Sequence, residues 1–224
     1  MIERNFDAFI TDLDGSLVSN EPHASAAYRI LFRARGVEPV PEPNGLIHIV
    51  GTSGNMKRLI ARHGLNLDLK EEMIQRWGML YTELIYGHIE AVPGVMELLD
   101  LARTGGMKIG LASSSWPEHI RISIDSIGVR HFYQQDAIVS CKEVGESKPS
   151  PRVYIEVARR LGIPCERCAA LEDTASGYLS AHGAGMKVIA VRTEHNAGHD
   201  FGKSRIVSSL SEITWEILQE PKAL

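Results

Sequence analysis

The sequence predicts an α/β protein with a mostly parallel sheet, helices on both of its faces, and an inserted block that is helical throughout. Two observations carry this expectation. After residue 90, short apolar runs of strand length alternate with longer amphipathic runs, the βαβα rhythm of a parallel sheet. Between residues 20 and 88 that rhythm is absent, and the apolar residues fall at helical spacing. A third observation bears on function: residues able to do chemistry recur where the predicted strands end, which is where such sheets bind ligands.

The first strand is the apolar run Phe6 to Ile10, followed by Asp12-Leu13-Asp14-Gly15-Ser16. Ala24 to Ala34 has helical spacing and stops at Gly36, and Pro39, Pro41 and Pro43 stiffen the connection after it. Leu46 to Val50 is the one strand candidate in this block. Met56 to Arg62 reads as a short helix ending at His63-Gly64, and Leu69 to Tyr86 as a longer one ending at Gly87. The expected domains are therefore a core of residues 1–19 and 89–224, and a helical insert of residues 20–88 that acts as a lid. In the core, Pro93-Gly94 opens a helix with Val95, Leu98, Leu99 and Ala102 on one side, stopped by Gly105-Gly106. Lys108 to Ala112 is a buried strand, and Pro117 starts a helix that ends near Gly128. Ala137 to Ser140 is a strand. Pro151 starts a helix carrying Val153, Ile155, Val157, Ala158 and Leu161, stopped by Gly162. A strand at Ala169 to Leu171, a helix at Ala175 to His182 and a strand at Val188 to Val191 follow.

Composition narrows the function classes. A chain of 224 residues holds one sizeable core and a smaller insert. Its 44% hydrophobic and 23% charged residues are ordinary for a globular protein, and its net charge of −4 argues against a nucleic-acid or membrane partner. No apolar run approaches the ~20 residues of a membrane helix. Met-Ile-Glu-Arg-Asn lacks the basic-then-apolar form of a signal peptide. Cys141, Cys165 and Cys168 do not make a disulfide framework, so the reducing cytoplasm is the expected compartment and a monomer the expected state. Cys165-x-x-Cys168 has the spacing of a redox pair or half a zinc site, but no second pair exists; chance thiols at a turn are expected. His195 and His199 lie in a polar loop and are expected to be solvated.

Four predicted strand ends carry the candidate site. They bear Asp12 and Asp14, then Ser113-Ser114-Ser115, then Lys148-Pro149, then Glu172-Asp173. Paired carboxylates at a strand end suit phosphoryl transfer, because one can attack phosphorus while the other moves the proton. A lysine and a divalent cation would screen the approach of an anionic nucleophile to an anionic phosphate.

These four elements, in this order, resemble the haloacid dehalogenase superfamily, in its phosphatase branch with a helical cap after the first strand. Within it the chain looks most like the β-phosphoglucomutase-like group of sugar-phosphate phosphatases and mutases. The family pattern is Asp-x-Asp-Gly-Thr or Val, a strand-end Ser or Thr, a Lys-Pro, and a Glu-Asp before a small residue. The resemblance covers about Phe6 to Val191 and implies a Rossmann-like core. It implies Asp12 as nucleophile forming an aspartyl-phosphate, Asp14 as general acid and base, and Lys148 as the neutralising cation. Ser113 and the N–H of Ser114 would hold phosphate oxygens, with Ser16 orienting a carboxylate. Mg²⁺ would be bound by Asp12, Asp173 and the main-chain carbonyl of Asp14, with Glu172 completing the shell. The expected activity is Mg²⁺-dependent hydrolysis of a small phosphorylated metabolite, a sugar phosphate. A phosphomutase and a catalytically weak phospho-ligand-binding protein are the alternatives. The chain departs from the mutases in having His48 near Gly51-Thr52-Ser53 where they carry a cap arginine, and Pro117 where they carry an Asn. Both departures favour hydrolysis. Substrate choice is expected from cap residues, with His23, Asn55, Lys57, Arg58, Arg76 and Tyr81 as candidates.

Overall fold

The computed structural model describes residues 4–40 and 52–222. The chain divides into two compact units, residues 1–18 with 91–224 and residues 19–90. In chain order the first unit begins with β1 (Ala8–Thr11). The chain crosses to the second unit in the short strand β2 (Val18–Ser19) and returns in β3 (Glu90–Ala91).

The second unit is built on three helices, α1 (Glu21–Arg33), α2 (Thr52–Arg62) and α3 (Lys70–Ile85). An aromatic ladder forms its centre. Tyr28 lies 5.1 Å from Trp77, and Trp77 stacks on Tyr81 at 4.8 Å. The Trp77 indole N–H donates to the Ala24 carbonyl at 3.3 Å, and the Asn20 side-chain amide donates to the Tyr81 hydroxyl. Tyr81 is thus part of this unit's own core, which removes it from the substrate-contacting candidates. His23 is half-buried, and Lys57, Arg58 and Arg76 are exposed. The Asn55 side chain, His48, Pro41, Pro43 and the Leu46–Val50 strand candidate lie outside the described residues.

The core continues with α4 (Val95–Thr104), β4 (Lys108–Ser113), α5 (Pro117–Ser126), β5 (Ile138–Ser140), α6 (Cys141–Val144) and α7 (Arg152–Leu161). Then come β6 (Cys168–Glu172), α8 (Ala175–Gly183), β7 (Lys187–Val191), β8 (Arg205–Val207) and α9 (Trp215–Gln219). Six strands form one sheet in the order β5-β4-β1-β6-β7-β8, parallel throughout. The alternating pattern after residue 90 has this topology, because parallel neighbours need helical crossovers. β8, α6 and α9 were not expected. Two of the three residues of β8 are exposed, so its sequence lacks the apolar run that marks the buried strands.

One core cluster joins Ile10, Ala112, Val139, Ala170 and Val188 of the sheet to Val153, Tyr154, Val157, Ala158 and Leu161 of α7. These five helix residues make a stripe at i, i+1, i+4, i+5 and i+8. Ile155, read from the sequence as part of the apolar set, lies off that stripe and is 44% exposed. Gly110 lets α7 approach β4: a Cβ there would lie 2.4 Å from Val157 Cγ1 and 3.2 Å from the Ala137 carbonyl oxygen. Gly110→Ala is therefore expected to destabilise the protein by about 1–3 kcal/mol through overpacking. Thermal unfolding checks this; a midpoint within about 2 °C of the parent would show that α7 gives way freely.

Candidate active site

The site begins with strand register. Thr11, the last residue of β1, pairs with Leu111 of β4 on one side and Leu171 of β6 on the other. Asp12 extends the ladder by one step, its N–H donating to the Leu171 carbonyl at 3.0 Å. Leu13 is buried, and the chain then turns at Gly15 with φ 83°, a left-handed conformation that a glycine adopts without strain. Just before the turn, Asp14 meets Ser113 and Ser115 at the end of β4.

Lys148 lies at the centre of the site. Its ammonium donates to Asp12 Oδ1 at 2.5 Å, to Glu172 Oε1 at 2.5 Å and to the Ala112 carbonyl at 3.1 Å. All three ammonium protons are used. The side chain is 4% exposed. Burial opposes its charge, but the Asp12 and Glu172 carboxylates outweigh burial and hold its pKa well above the usual lysine value. Burial raises the Asp12 pKa; Lys148 opposes this, while Glu172 and Asp14 add to it.

Glu172 is fully buried with both oxygens engaged. Oε1 accepts from Lys148 and from the Tyr154 hydroxyl at 2.6 Å. Oε2 accepts from the Asp173 and Thr174 N–H groups and the Thr174 hydroxyl, at 3.2 to 3.4 Å. Gly177 makes room for it, since a Cβ there would lie 2.0 Å from the carboxylate. Asp12, Glu172 and Asp173 each offer an oxygen, all within 4.8 Å of one another. Three buried carboxylates against one ammonium leave negative charge to neutralise, and an oxygen-only donor set fits a hard divalent cation. Ligation by Glu172 would compete with its five hydrogen bonds.

The serines divide their work differently from the expectation. Ser115 Oγ donates to Asp14 Oδ2 at 2.7 Å and Ser113 Oγ does so at 3.2 Å. Ser113 Oγ in turn accepts the Ser115 N–H at 2.9 Å. Ser140 caps α6 and donates to the Ser115 carbonyl at 2.6 Å, fixing the loop from the neighbouring strand. Ser114 is exposed. Ser16 is fully buried and its hydroxyl reaches no hydrogen-bond partner among the described residues, so it is not joined to either aspartate.

Asp173 is held through its backbone. Its carbonyl accepts the Asn196 side-chain amide at 2.7 Å, and the same amide nitrogen donates to the Val191 carbonyl at 2.7 Å. Arg192 stitches the loop that carries Asn196, donating from Nη1 to the carbonyls of Asn196, Ala197 and His199. His199 is half-buried against Phe201 rather than solvated; the side chain of His195 is outside the described residues. The cysteines are free thiols, and burial, with Cys165 and Glu166 adding, pushes Cys168 up to about 12.

Tyr154, Ser140 and Asn196 thus join the site without having been singled out as site residues in the sequence, and Ser115, read there only as part of the serine run, holds Asp14. Tyr154 carried a signal, because a phenol on a buried apolar stripe must find an acceptor. Asn196 carried none: its partners are backbone carbonyls.

Residues 9–191 match the haloacid dehalogenase-like hydrolases, and the chain belongs to this family. Among its relatives, protein CbbY of Rhodobacter capsulatus is 30% identical over 210 residues, covering 87% of this chain and 88% of that protein. Hexitol phosphatase B of Escherichia coli is 30% identical over 190 residues, covering 84% of each chain. CbbY of Rhodobacter sphaeroides, crystallised with phosphate, shares the fold at a TM-score of 0.83 and 24% identity, over 95% of this chain and 99% of that one. A variant of it crystallised with xylulose-(1,5)bisphosphate matches equally well, at 0.83.

Tyr154→Phe removes one donor from the buried Glu172 carboxylate. The expected cost is about 1–3 kcal/mol, that of a hydrogen bond to a charged group. Urea unfolding of the variant checks it; unchanged stability would mean that the phenol does not hold Glu172.

Proposed function

We propose that this hydrolase is a Mg²⁺-dependent phosphatase of a small phosphorylated metabolite, a sugar phosphate, working through an aspartyl-phosphate on Asp12. The observation that carries the reading is the Asp12 carboxylate at the end of β1, bonded to buried Lys148 and grouped with Asp173. Lys148 engages Oδ1 of Asp12 and leaves Oδ2 for attack on phosphorus. Its charge offsets part of the repulsion between nucleophile and phosphate. Asp12 and Asp173 would hold Mg²⁺, which when bound supplies the rest of that neutralisation. Glu172 serves chiefly to place Lys148.

Asp14 gives a proton to the leaving alcohol, then takes one from the water that hydrolyses the acyl-phosphate. A hydroxyl has one proton to donate. Ser113 can therefore hold Asp14 or a phosphate oxygen, while Ser115 keeps Asp14 in place. With Ser113 turned to the phosphate, the N–H of Ser114 is the second donor.

The names of the relatives support a sugar-phosphate substrate: one is a hexitol phosphatase, and another was crystallised with a pentulose bisphosphate. Pro117, first residue of α5, has no side chain able to grip a second phosphate, which favours hydrolysis over mutase turnover. Residues 20–88 take the role of a cap that selects the substrate, with exposed Lys57, Arg58 and Arg76 as its cationic candidates. The cytoplasm is the compartment that suits its free thiols. Phosphate release from a panel of phosphorylated metabolites with Mg²⁺ tests the activity; no turnover of any would refute it.

Asp12→Asn is expected to lower turnover at least about 10³-fold while leaving the fold intact, because an amide cannot form the acyl-phosphate. Steady-state phosphate release within about tenfold of the parent would remove Asp12 from this role.

Mg²⁺ is expected to support turnover far better than Ca²⁺. Mg²⁺ holds a tight octahedron, whereas Ca²⁺ accepts further ligands and would draw in the second oxygen of the nucleophile. Equal rates with both ions, or full activity in excess chelator, would contradict the assignment.

A further inference from the structure

The catalytic residues occupy the carboxyl ends of the strands. At the opposite end of the sheet, the first residues of β7 and β8 open onto a cavity of about 480 Å³. About 13 Å of strand separates Lys187 from the catalytic end of β7. The wall includes His182, Lys187, Lys203, Arg205 and Lys222, against one acid, Glu220. In a chain with a net charge of −4, two lysines, a buried lysine and an arginine around one carboxylate are a local concentration of positive charge.

The basic groups differ in how their charge is met. Arg205 forms a two-pronged pair with Glu220, at 2.6 and 3.1 Å, so that carboxylate is already committed. Lys222 donates to the Gly185 carbonyl. Lys187 is 5% exposed, donates to the Ile217 carbonyl, and lies 5.5 Å over the Phe6 ring. Burial brings its pKa down to about 8, with Glu220 opposing and Arg205 adding. The ammonium donates to a carbonyl rather than a carboxylate, and the acid that acts on it, Glu220, is shared with Arg205. The mechanism makes no use of it. Beside it, Tyr178 and His182 present stacked rings 5.4 Å apart.

We propose that this cavity is a second anion site, which takes a small phosphoanion, inorganic phosphate or a phosphate monoester, against Lys187, Lys203 and Lys222. The anion adds negative charge to a wall whose one acid, Glu220, is already paired with Arg205, and the cavity is large enough for an ester with an organic group. This site is independent of the catalytic reading and does not require turnover.

Met186 and Ile206 line the cavity, and their methyl signals report on it separately from the catalytic end. The experiment is a Mg²⁺-free NMR titration of the methyl-labelled full chain with inorganic phosphate and, separately, with AMP. Saturable shifts of the Met186 and Ile206 methyls are expected, with a millimolar or tighter Kd. Tighter binding of AMP identifies an organic monoester as the ligand; equal binding identifies the free anion. The surface variant Lys203→Ala with Lys222→Ala is expected to weaken binding about tenfold. Lys187→Met, which keeps the packing and removes the charge, is expected to do the same. The proposal is overturned if neither probe moves these signals. It is also overturned if sodium chloride at matched ionic strength moves them equally, or if all variants bind as the parent does.

Discussion

The buried ammonium of Lys148 is the interaction on which the rest of the site depends. It ties together three chain segments that are distant in sequence: the end of β1 through Asp12, the end of β4 through the Ala112 carbonyl, and the end of β6 through Glu172. Removing one partner from a buried ion pair leaves an uncompensated charge and costs roughly 3–5 kcal/mol. Here the chain accepts a buried carboxylate cluster because one cation serves two acids. Tyr154 and the backbone N–H groups at the start of α8 satisfy the remaining valences of Glu172. The Asp12 carboxylate is thereby held in a place where few carboxylates would be stable.

Much of this was legible in the sequence. The alternation of apolar runs specified a parallel sheet, and strand ends in such a sheet converge, so Asp12, Ser113, Lys148 and Glu172-Asp173 could be grouped before any coordinates were known. What escaped had physical reasons. β8 is a short edge strand with two exposed residues, so it leaves little apolar signal. Ile155 fell at an apolar position that the helix turns to solvent, since periodicity alone does not say which of two adjacent stripes faces the sheet. Ser115 looked like the two serines before it, and only the geometry shows that it shares Asp14 with Ser113.

The loop after β7 is a different kind of omission. From composition it is a polar connection rich in Asn, Gly and His. In the fold, Arg192 collects three carbonyls of that loop, and Asn196 spends its amide on the carbonyls of Asp173 and Val191. The ends of β6 and β7 are joined by one side chain, and the backbone of a candidate metal ligand is fixed from behind. Partners of this sort are main-chain atoms, which every residue carries, so no residue pattern announces them.

Register is what turns these separate devices into one site. Thr11 stands level with Leu111 and Leu171, and Ser113 stands level with Ser140. A slip of one residue in β4 would carry its side chains to the other face of the sheet. Ser113 would then leave Asp14, and the Ala112 carbonyl would leave Lys148. The same slip would drive Gly110 away from α7 and bring a larger residue against Val157. The packing of α7 on the sheet thus opposes the slip that would dismantle the site, and α7 also contributes Tyr154 to the acid cluster. Core packing and the placement of Asp12, Lys148 and Glu172 are enforced by the same helix.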